Sequence, residues 1–259
     1  VTTAVATVYG DSAADLLGTA VDAGEDLDGD GVSDVVVGGF TDSAGGAAAG
    51  AAYVFLGGPA TTGLDTSAAD ASVLGASGGE LGAAVALLPD TDADGYADLV
   101  VSAPNADPGG LSAAGSVYVW LGSASGPFSG ATTGATADAT WTGAAAGDYA
   151  GFSVASAGDV DADGDSDLLI GAPGYDRGSS HADAGSGYLM YSPLSGSTAL
   201  STYDARVRGD DTSDNFGACV AGVGDITGDG HDDWFAGAPN DSDGATEAGG
   251  FAVLFGQGL

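Results

Sequence analysis

The residues with the clearest chemistry are aspartates in four short runs of one pattern. The first, "DLDGDGVSD", places Asp26, Asp28, Asp30 and Asp34 at its first, third, fifth and ninth positions. The second, "DTDADGYAD", places Asp90, Asp92, Asp94 and Asp98 there, and the third, "DVDADGDSD", places Asp159, Asp161, Asp163 and Asp167. The fourth, "DITGDGHDD", has Asp225, Thr227, Asp229 and Asp233. A calcium ion takes about 6 to 8 oxygen ligands at roughly 2.3–2.6 Å. Carboxylates at alternate positions of a tight loop can face one such ion. The glycine at position six of every run allows the sharp turn with positive φ. The seventh residue can offer its carbonyl, and the ninth-position aspartate closes the shell. Without a cation the clustered carboxylates repel one another. One Ca²⁺ per run is therefore expected, about four in all, with binding coupled to folding. Thr227 replaces a carboxylate with a hydroxyl, so the fourth site is expected to be the weakest. Magnesium fits less well, because it prefers to keep several waters.

The elements around the runs are strands. An EF-hand would need glutamate at position twelve and a helix after it. Position twelve is instead Val37, Val101, Ile170 or Ala236, inside an apolar stretch such as "VVVGGF" or "LLIGAP". The runs recur 64, 69 and 66 residues apart. Ahead of each stands "LGTAV", "LGAAV", "AGFSV" or "FGACV". Some twenty residues after it comes "GAAYVFLG", "GSVYVWLG", "GSGYLMYS" or "GGFAVLFG". A further short segment precedes each unit: "ATVYG", "ASVLG", "ATWTG" or "ARVRG". Four short apolar segments per unit, split by Gly, Asp, Pro and Ser, predict four antiparallel strands. Four tandem copies predict an all-β fold, a β-propeller of four four-stranded blades in one domain spanning 1–259. The units cover approximately 6–57, 71–122, 139–191 and 205–256.

The phase of the repeat predicts how the ends meet. The chain opens on the segment type that precedes a run and closes on the type that follows one. If "ATVYG" is an outer strand, the last blade lacks one. The simplest expectation is that the N-terminal strand completes the last blade and closes the ring. Two chains joined in a larger ring, or a piece of a longer array, would satisfy the same phase.

The chain has 259 residues with 44% apolar content, enough for a sizeable core. It carries 37 acids against Arg177, Arg206 and Arg208, with no lysine, for a formal charge of −34. That field repels phosphate backbones and anionic lipid, which argues against nucleic-acid and membrane-surface partners. It attracts cations and suits a saline setting. No apolar run reaches the ~18 residues of a membrane span, so membrane insertion is not expected. No secretory leader is visible, as in a chain already processed. A single cysteine, Cys219 in "FGACVAG", rules out an intrachain disulfide and reads as a small buried hydrophobe.

The stretches "LGTAV…DLDGDGVSDVVVGG", "GFSVASAGDVDADGDSDLLIGAP" and "FGACVAGVGDITGDGHDDWFAGAP" resemble FG-GAP repeats, the units of integrin α-type propellers and of many bacterial surface proteins. The resemblance runs over nearly the whole chain. It implies a β-propeller with Ca²⁺ in hairpin loops, an extracellular or cell-surface location, and adhesion or ligand binding. Integrin-type rings have seven such repeats and this chain has four, so only the metal positions transfer.

The remaining residues give weaker signals. His231 sits at position seven of the fourth run, where only its backbone oxygen would matter to a metal. His181, near Asp176 and Asp183, reads as an exposed loop residue. Two histidines, no lysine and one cysteine make a thin supply of bases and nucleophiles, so no catalytic residue is assigned. Trp120, Trp141, Trp234, Tyr53, Tyr118 and Tyr188 fall in strand segments and are expected to pack between blades, with sugar stacking as the minor alternative. The polar loops "SAPNADPGGLSAAG", "GAPGYDRGSSHADAG" and "GAPNDSDGATEAGG" are the expected working surface. The favoured function is a calcium-stabilised extracellular module that binds a protein or glycan. A self-assembling surface or filament subunit is the alternative, and a hydrolase is the least favoured reading.

Overall fold

In the computed structural model, residues 7–57, 64–124, 130–245 and 248–256 are described below. The chain begins with β1 (Val8–Tyr9), β2 (Ala20–Ala23), β3 (Val35–Gly39), β4 (Ala51–Phe55), β5 (Leu64–Asp65) and β6 (Ala71–Leu74). The second unit adds β7 (Val85–Leu88), β8 (Asp98–Ala103), β9 (Ser116–Trp120), β10 (Gly130–Thr133) and β11 (Ala139–Thr142). The third adds β12 (Ser153–Gly158), β13 (Asp167–Ala172), β14 (Ser186–Met190), β15 (Gly196–Ala199) and β16 (Ala205–Arg208). The last adds β17 (Cys219–Gly224), β18 (Asp233–Ala238) and β19 (Gly250–Leu254). The fold is all-β, as the sequence predicts.

These strands form four main sheets. Their orders are β10-β6-β4-β3-β2, β15-β11-β9-β8-β7, β12-β13-β14-β16 and β17-β18-β19. Each of the first three draws its antiparallel outer strand, β6, β11 or β16, from the segment ahead of the next unit. The sheets therefore cross the unit boundaries read from the sequence. Two sheets gain a fifth strand, because β10 runs parallel to β6 and β15 parallel to β11. The sequence reading did not include these strands. "GATT" and "GSTA" have no apolar alternation, and β10 lies mostly exposed.

The expected ring closure is corrected. β1 does not join the last sheet. It pairs parallel with β5, Val8 opposite Leu64 and Tyr9 opposite Asp65, and the last sheet stays three-stranded among the described residues. The β1–β5 pair repeats the relation of β6 to β10, so the linker after β4 holds β1 beside the first sheet.

Three apolar clusters fill the spaces between successive sheets. Val36, Ala52 and Val54 of the first sheet pack on Leu81, Val85, Leu99 and Val101 of the second. Val100, Val117 and Val119 meet Ala150, Leu168 and Ile170 of the third. Leu169 and Leu189 meet Phe216, Val220, Trp234 and Ala236 of the fourth. Strand alternation explains the pattern. Successive side chains point to opposite faces, so each inner sheet has one apolar face for each neighbour. Trp120, Trp141, Trp234, Tyr53 and Tyr188 are all buried, as expected for packing, and Tyr118 is half-buried. Cys219 is exposed rather than buried. It lies on the last sheet, whose outer face has no neighbouring sheet among the described residues.

Candidate metal centre

Each aspartate run spans the turn between the first two strands of a sheet, β2–β3, β7–β8, β12–β13 and β17–β18. The geometry follows from the residue types. The glycine at position six has φ of 84° at Gly31, 91° at Gly95, 104° at Gly164 and 93° at Gly230, a region that L side chains rarely adopt. That turn folds the backbone N–H groups over the first aspartate. Gly31 N donates to Asp26 Oδ2 at 2.8 Å, and Gly95 N, Gly164 N and Gly230 N do the same for Asp90, Asp159 and Asp225. Position seven donates to the fifth-position carboxylate, for example Val32 N to Asp30 Oδ1 at 2.7 Å. Burial pushes the Asp26 and Asp90 carboxyls up, but the N–H donors outweigh it and hold both below the usual range. At Asp225 the Gly230 N–H is the largest influence and acts in the same direction.

The structure brings carboxylate oxygens together in three of the four runs. Ligand atoms of Asp26, Asp28 and Asp34 lie within 4.8 Å of one another, as do those of Asp90, Asp92 and Asp94, and of Asp159, Asp161 and Asp163. Spacing of that order suits oxygens that share one cation at about 2.3–2.6 Å. One atom points more directly to a missing ligand: Asp92 Oδ1 is buried without a hydrogen-bond partner. Such an atom calls for a cation or a water. Burial, then Asp94 and Asp90, push the Asp92 carboxyl up, and burial followed by Asp163 does so at Asp161. A divalent cation would relieve both. The fourth run forms no such triplet among the described residues. There Thr227 Oγ1 donates to Asp225 Oδ1 across 3.4 Å.

The ninth-position aspartates have a second task that sequence reasoning missed. Asp34, Asp98, Asp167 and Asp233 are fully buried. Each accepts an N–H from position two of its own run on one oxygen, Leu27 N to Asp34 Oδ2 at 2.7 Å being the first. The other oxygen accepts an N–H just beyond the third strand, from Gly57, Gly122, Ser192 or Gly256. Each carboxylate thus ties its loop to the far side of its own sheet.

Adjacent loops are also bonded to each other. Ala97 N donates to Asp26 O at 3.0 Å, Ser166 N to Asp90 O at 3.1 Å and Asp232 N to Asp159 O at 2.9 Å. In each case position eight of one run reaches position one of the run before. The side chain of His231 adds to the last of these junctions, with Nδ1 3.0 Å from Val160 O. His181 stays in its loop, its Nδ1 2.9 Å from Ser180 Oγ.

A separate acid set lies at the opposite end of the sheets. Asp15, Asp148 and Asp214 are buried and accept N–H groups from the turn just ahead of them, Ser12, Ala144 and Ala145, and Asp211. Asp15 also gathers with Asp11 and Asp42, and Tyr53 Oη donates to Asp42 Oδ2 at 2.7 Å. These acids lack the spacing of the four runs, so no run announced them.

The "SAP" and "GAP" loops follow the second strand of the second, third and fourth sheets, at the end opposite the aspartate runs. Two clefts open there. One of about 490 Å³ is lined by residues including Pro173, Asp183, Asn215 and Asn240, and the other, of about 370 Å³, by Glu80, Pro104 and Asn105 among others. They meet at Tyr149 and Phe152, which line both and are 37% and 52% exposed.

The FG-GAP repeat family model matches residues 81–120 and 150–190, which confirms the motif resemblance for the second and third units. A search of curated proteins returns no match. No helix among the described residues is long and apolar enough to cross a membrane.

If the first triplet shares a cation, Asp28→Ala removes one of its three clustered carboxylates while leaving the buried Asp34 bonds intact. Calorimetry is expected to show one calcium fewer per chain, or one site weakened by roughly 10-fold or more, with the other sites unchanged. Unchanged stoichiometry and affinity would count against that grouping.

Proposed function

We propose that this chain is a calcium-stabilised, non-catalytic recognition module of the propeller type, in which the metal loops hold one end of the sheets and the opposite end binds the ligand. The observation that carries the reading is the pair of clefts meeting at Tyr149 and Phe152 on the "GAP"-loop end. Tyr149 and Phe152 are both exposed where the clefts join. They offer a flat apolar surface beside the hydrogen-bonding Asn105, Asn215 and Asn240, the combination that suits a sugar ring or an extended peptide. Asp26, Asp28, Asp30, Asp34 and their counterparts in the next two runs would hold Ca²⁺, and the fourth run would hold it more weakly. The ion supplies charge neutralisation at the loop and enters no reaction. The reading goes with an extracellular setting, where calcium is abundant enough to fill sites of modest affinity.

The test is a glycan-array and peptide-array screen in calcium and again in EDTA, repeated with Tyr149→Ala and Phe152→Ala. Calcium-dependent binding lost in both variants supports the module and its face. Binding that both variants retain moves the ligand elsewhere, and turnover of an arrayed glycan would overturn the non-catalytic reading.

A further inference from the structure

The three arginines, Arg177, Arg206 and Arg208, lie in one place. Arg206 and Arg208 are two residues apart on β16, so they share one face of the third sheet, roughly 7 Å apart along the strand. Arg177, in the loop after β13, reaches the same spot: its guanidinium donates to Gly209 O, one residue past Arg208, at 3.5 Å. On a surface with 37 acids, an arginine has carboxylates within easy reach. Yet among the described residues none of the three forms an ion pair. The acids nearest in sequence are engaged elsewhere. Asp176 accepts the Asp183 N–H at 2.9 Å, and Asp204 accepts the Tyr191 N–H at 2.8 Å.

Rings hold Arg206 instead. Its guanidinium carbon lies 4.6 Å from the ring centre of Tyr203, 5.0 Å from Tyr175 and 5.7 Å from Tyr188. Tyr188 is buried and meets the other two rings edge-on, at 6.4 and 5.6 Å between centroids. Stacking fixes the plane of the guanidinium but leaves its charge without a counter-ion. The repeat shows that the junction does not require this arrangement. In the second unit the positions of Arg206, Tyr175 and Tyr203 are held by Thr140, Ala106 and Ala137. Three departures from the repeat therefore meet at one point. Thr140 and Ser72, the counterparts of Arg206 on the first two sheets, stay half-buried although a fifth strand lies alongside each outer strand. A further strand beside β16 would likewise leave this face open.

We propose that Arg206, with Arg208 and Arg177 beside it, binds the carboxylate of an acidic sugar on the flank of the third sheet. A guanidinium held flat suits a planar carboxylate, which can take two parallel N–H bonds from it. The tyrosines favour a sugar over an acidic peptide. Among the described residues the Tyr175 and Tyr203 hydroxyls have no hydrogen-bond partner, so both can bond to ring hydroxyls. A carboxylate fixed to a sugar ring also has little side-chain freedom to lose on binding. The −34 charge opposes any anion at long range. At physiological salt that field is screened beyond about 8 Å, whereas contact with the arginines persists. The patch is separate from the clefts at Tyr149 and Phe152, and the inference does not rest on them.

The test is calorimetry of the calcium-loaded chain in about 0.15 M salt. The probes are a galacturonic acid trisaccharide, its neutral galactose counterpart, a sulfated trisaccharide and a hexaglutamate peptide. The uronate is expected to bind and the neutral sugar not to. Arg206→Gln and Arg208→Gln should each weaken binding by roughly 10-fold or more. Arg206→Lys should also weaken it, because an ammonium cannot offer the paired donors. Arg208 is exposed, so Arg208→Gln tests the site without disturbing the tyrosines. Ala131→Asp, an added charge at an exposed position of β10, should leave binding unchanged, and so should Tyr149→Ala. No binding of the uronate overturns the proposal, as does binding that survives both glutamine variants. Equal loss in Ala131→Asp would reduce the effect to net charge, and loss in Tyr149→Ala would move the sugar to the clefts. Tighter binding of the sulfated sugar overturns the carboxylate, and equal binding of hexaglutamate overturns the sugar.

Discussion

Chelation with excess EDTA at pH 7.5 lowers the melting temperature by roughly 15 °C or more. A site saturated at about 100 times its dissociation constant adds ~2.7 kcal/mol to stability. Three of the aspartate runs hold a clustered triplet, and each kcal/mol moves the midpoint of a chain this size by about 2–4 °C. The carboxylates make the metal-free state worse at neutral pH. Burial pushes Asp98 up to about 6 and Asp167 up to about 7, against about 3.9 in an unfolded chain. Between about pH 4 and 7 the metal-free folded chain therefore holds more protons than the unfolded one, so its stability falls as pH rises through that window. The EDTA-treated protein is expected to melt higher at pH 5 than at pH 7.5. The calcium-loaded protein is expected to show the reverse, because protons compete for the ligand oxygens. Identical melts at pH 7.5 with and without EDTA would refute structural calcium.

The second large effect comes from a single methyl group. Gly171→Ala should destabilise by about 3 kcal/mol, near the upper end for overpacking, and lower the midpoint by roughly 6–12 °C. The backbone at Gly171 has no need of glycine's conformational range. What matters is that Gly217 O of the next sheet sits 2.0 Å from where the Cβ would be, with Ser153 Oγ at 2.3 Å. A carbonyl held in a sheet junction cannot step aside as a side-chain tip can. Gly237→Ala is the matched control, since the one close neighbour there is the tip of the Cys219 side chain and the nearest backbone atom, Gly250 O, is 4.0 Å away. Equal losses at the two positions would mean that close approach between sheets is not what selects glycine.

Much of this was legible because the sequence repeats. One aspartate run is an acidic turn. Four in register, each leading into "VVVGGF"-like stretches, fix a loop between strands, and the left-handed Gly31, Gly95, Gly164 and Gly230 follow from the same pattern. The phase allowed an outer strand to come from the segment ahead of a unit, and "ASVLG", "ATWTG" and "ARVRG" do serve the preceding sheet. What stayed hidden depends on neighbours that sequence does not reveal. Cys219 lies in an apolar run, but burial there needs a next sheet, and the last sheet has none among the described residues. The N-terminal strand had a plausible destination by phase alone, whereas the parallel pairing available at Leu64–Asp65 lies in a polar linker with no strand signature. The double hydrogen bonding of the ninth aspartates was invisible for a related reason. One of the two donors sits 23 to 25 residues away, beyond the third strand.

The borrowed outer strand has a consequence at the level of the gene. Because β6, β11 and β16 each complete the sheet before them, no main sheet but the last is encoded by one unit alone. A duplication or deletion of one whole unit, cut at any phase, leaves every interior sheet with the same kinds of strand in the same order. The number of sheets changes by one, and no interior strand is left without its neighbour. Recombination between units therefore preserves strand connectivity, and what it changes is the set of side chains that meet at the new junction.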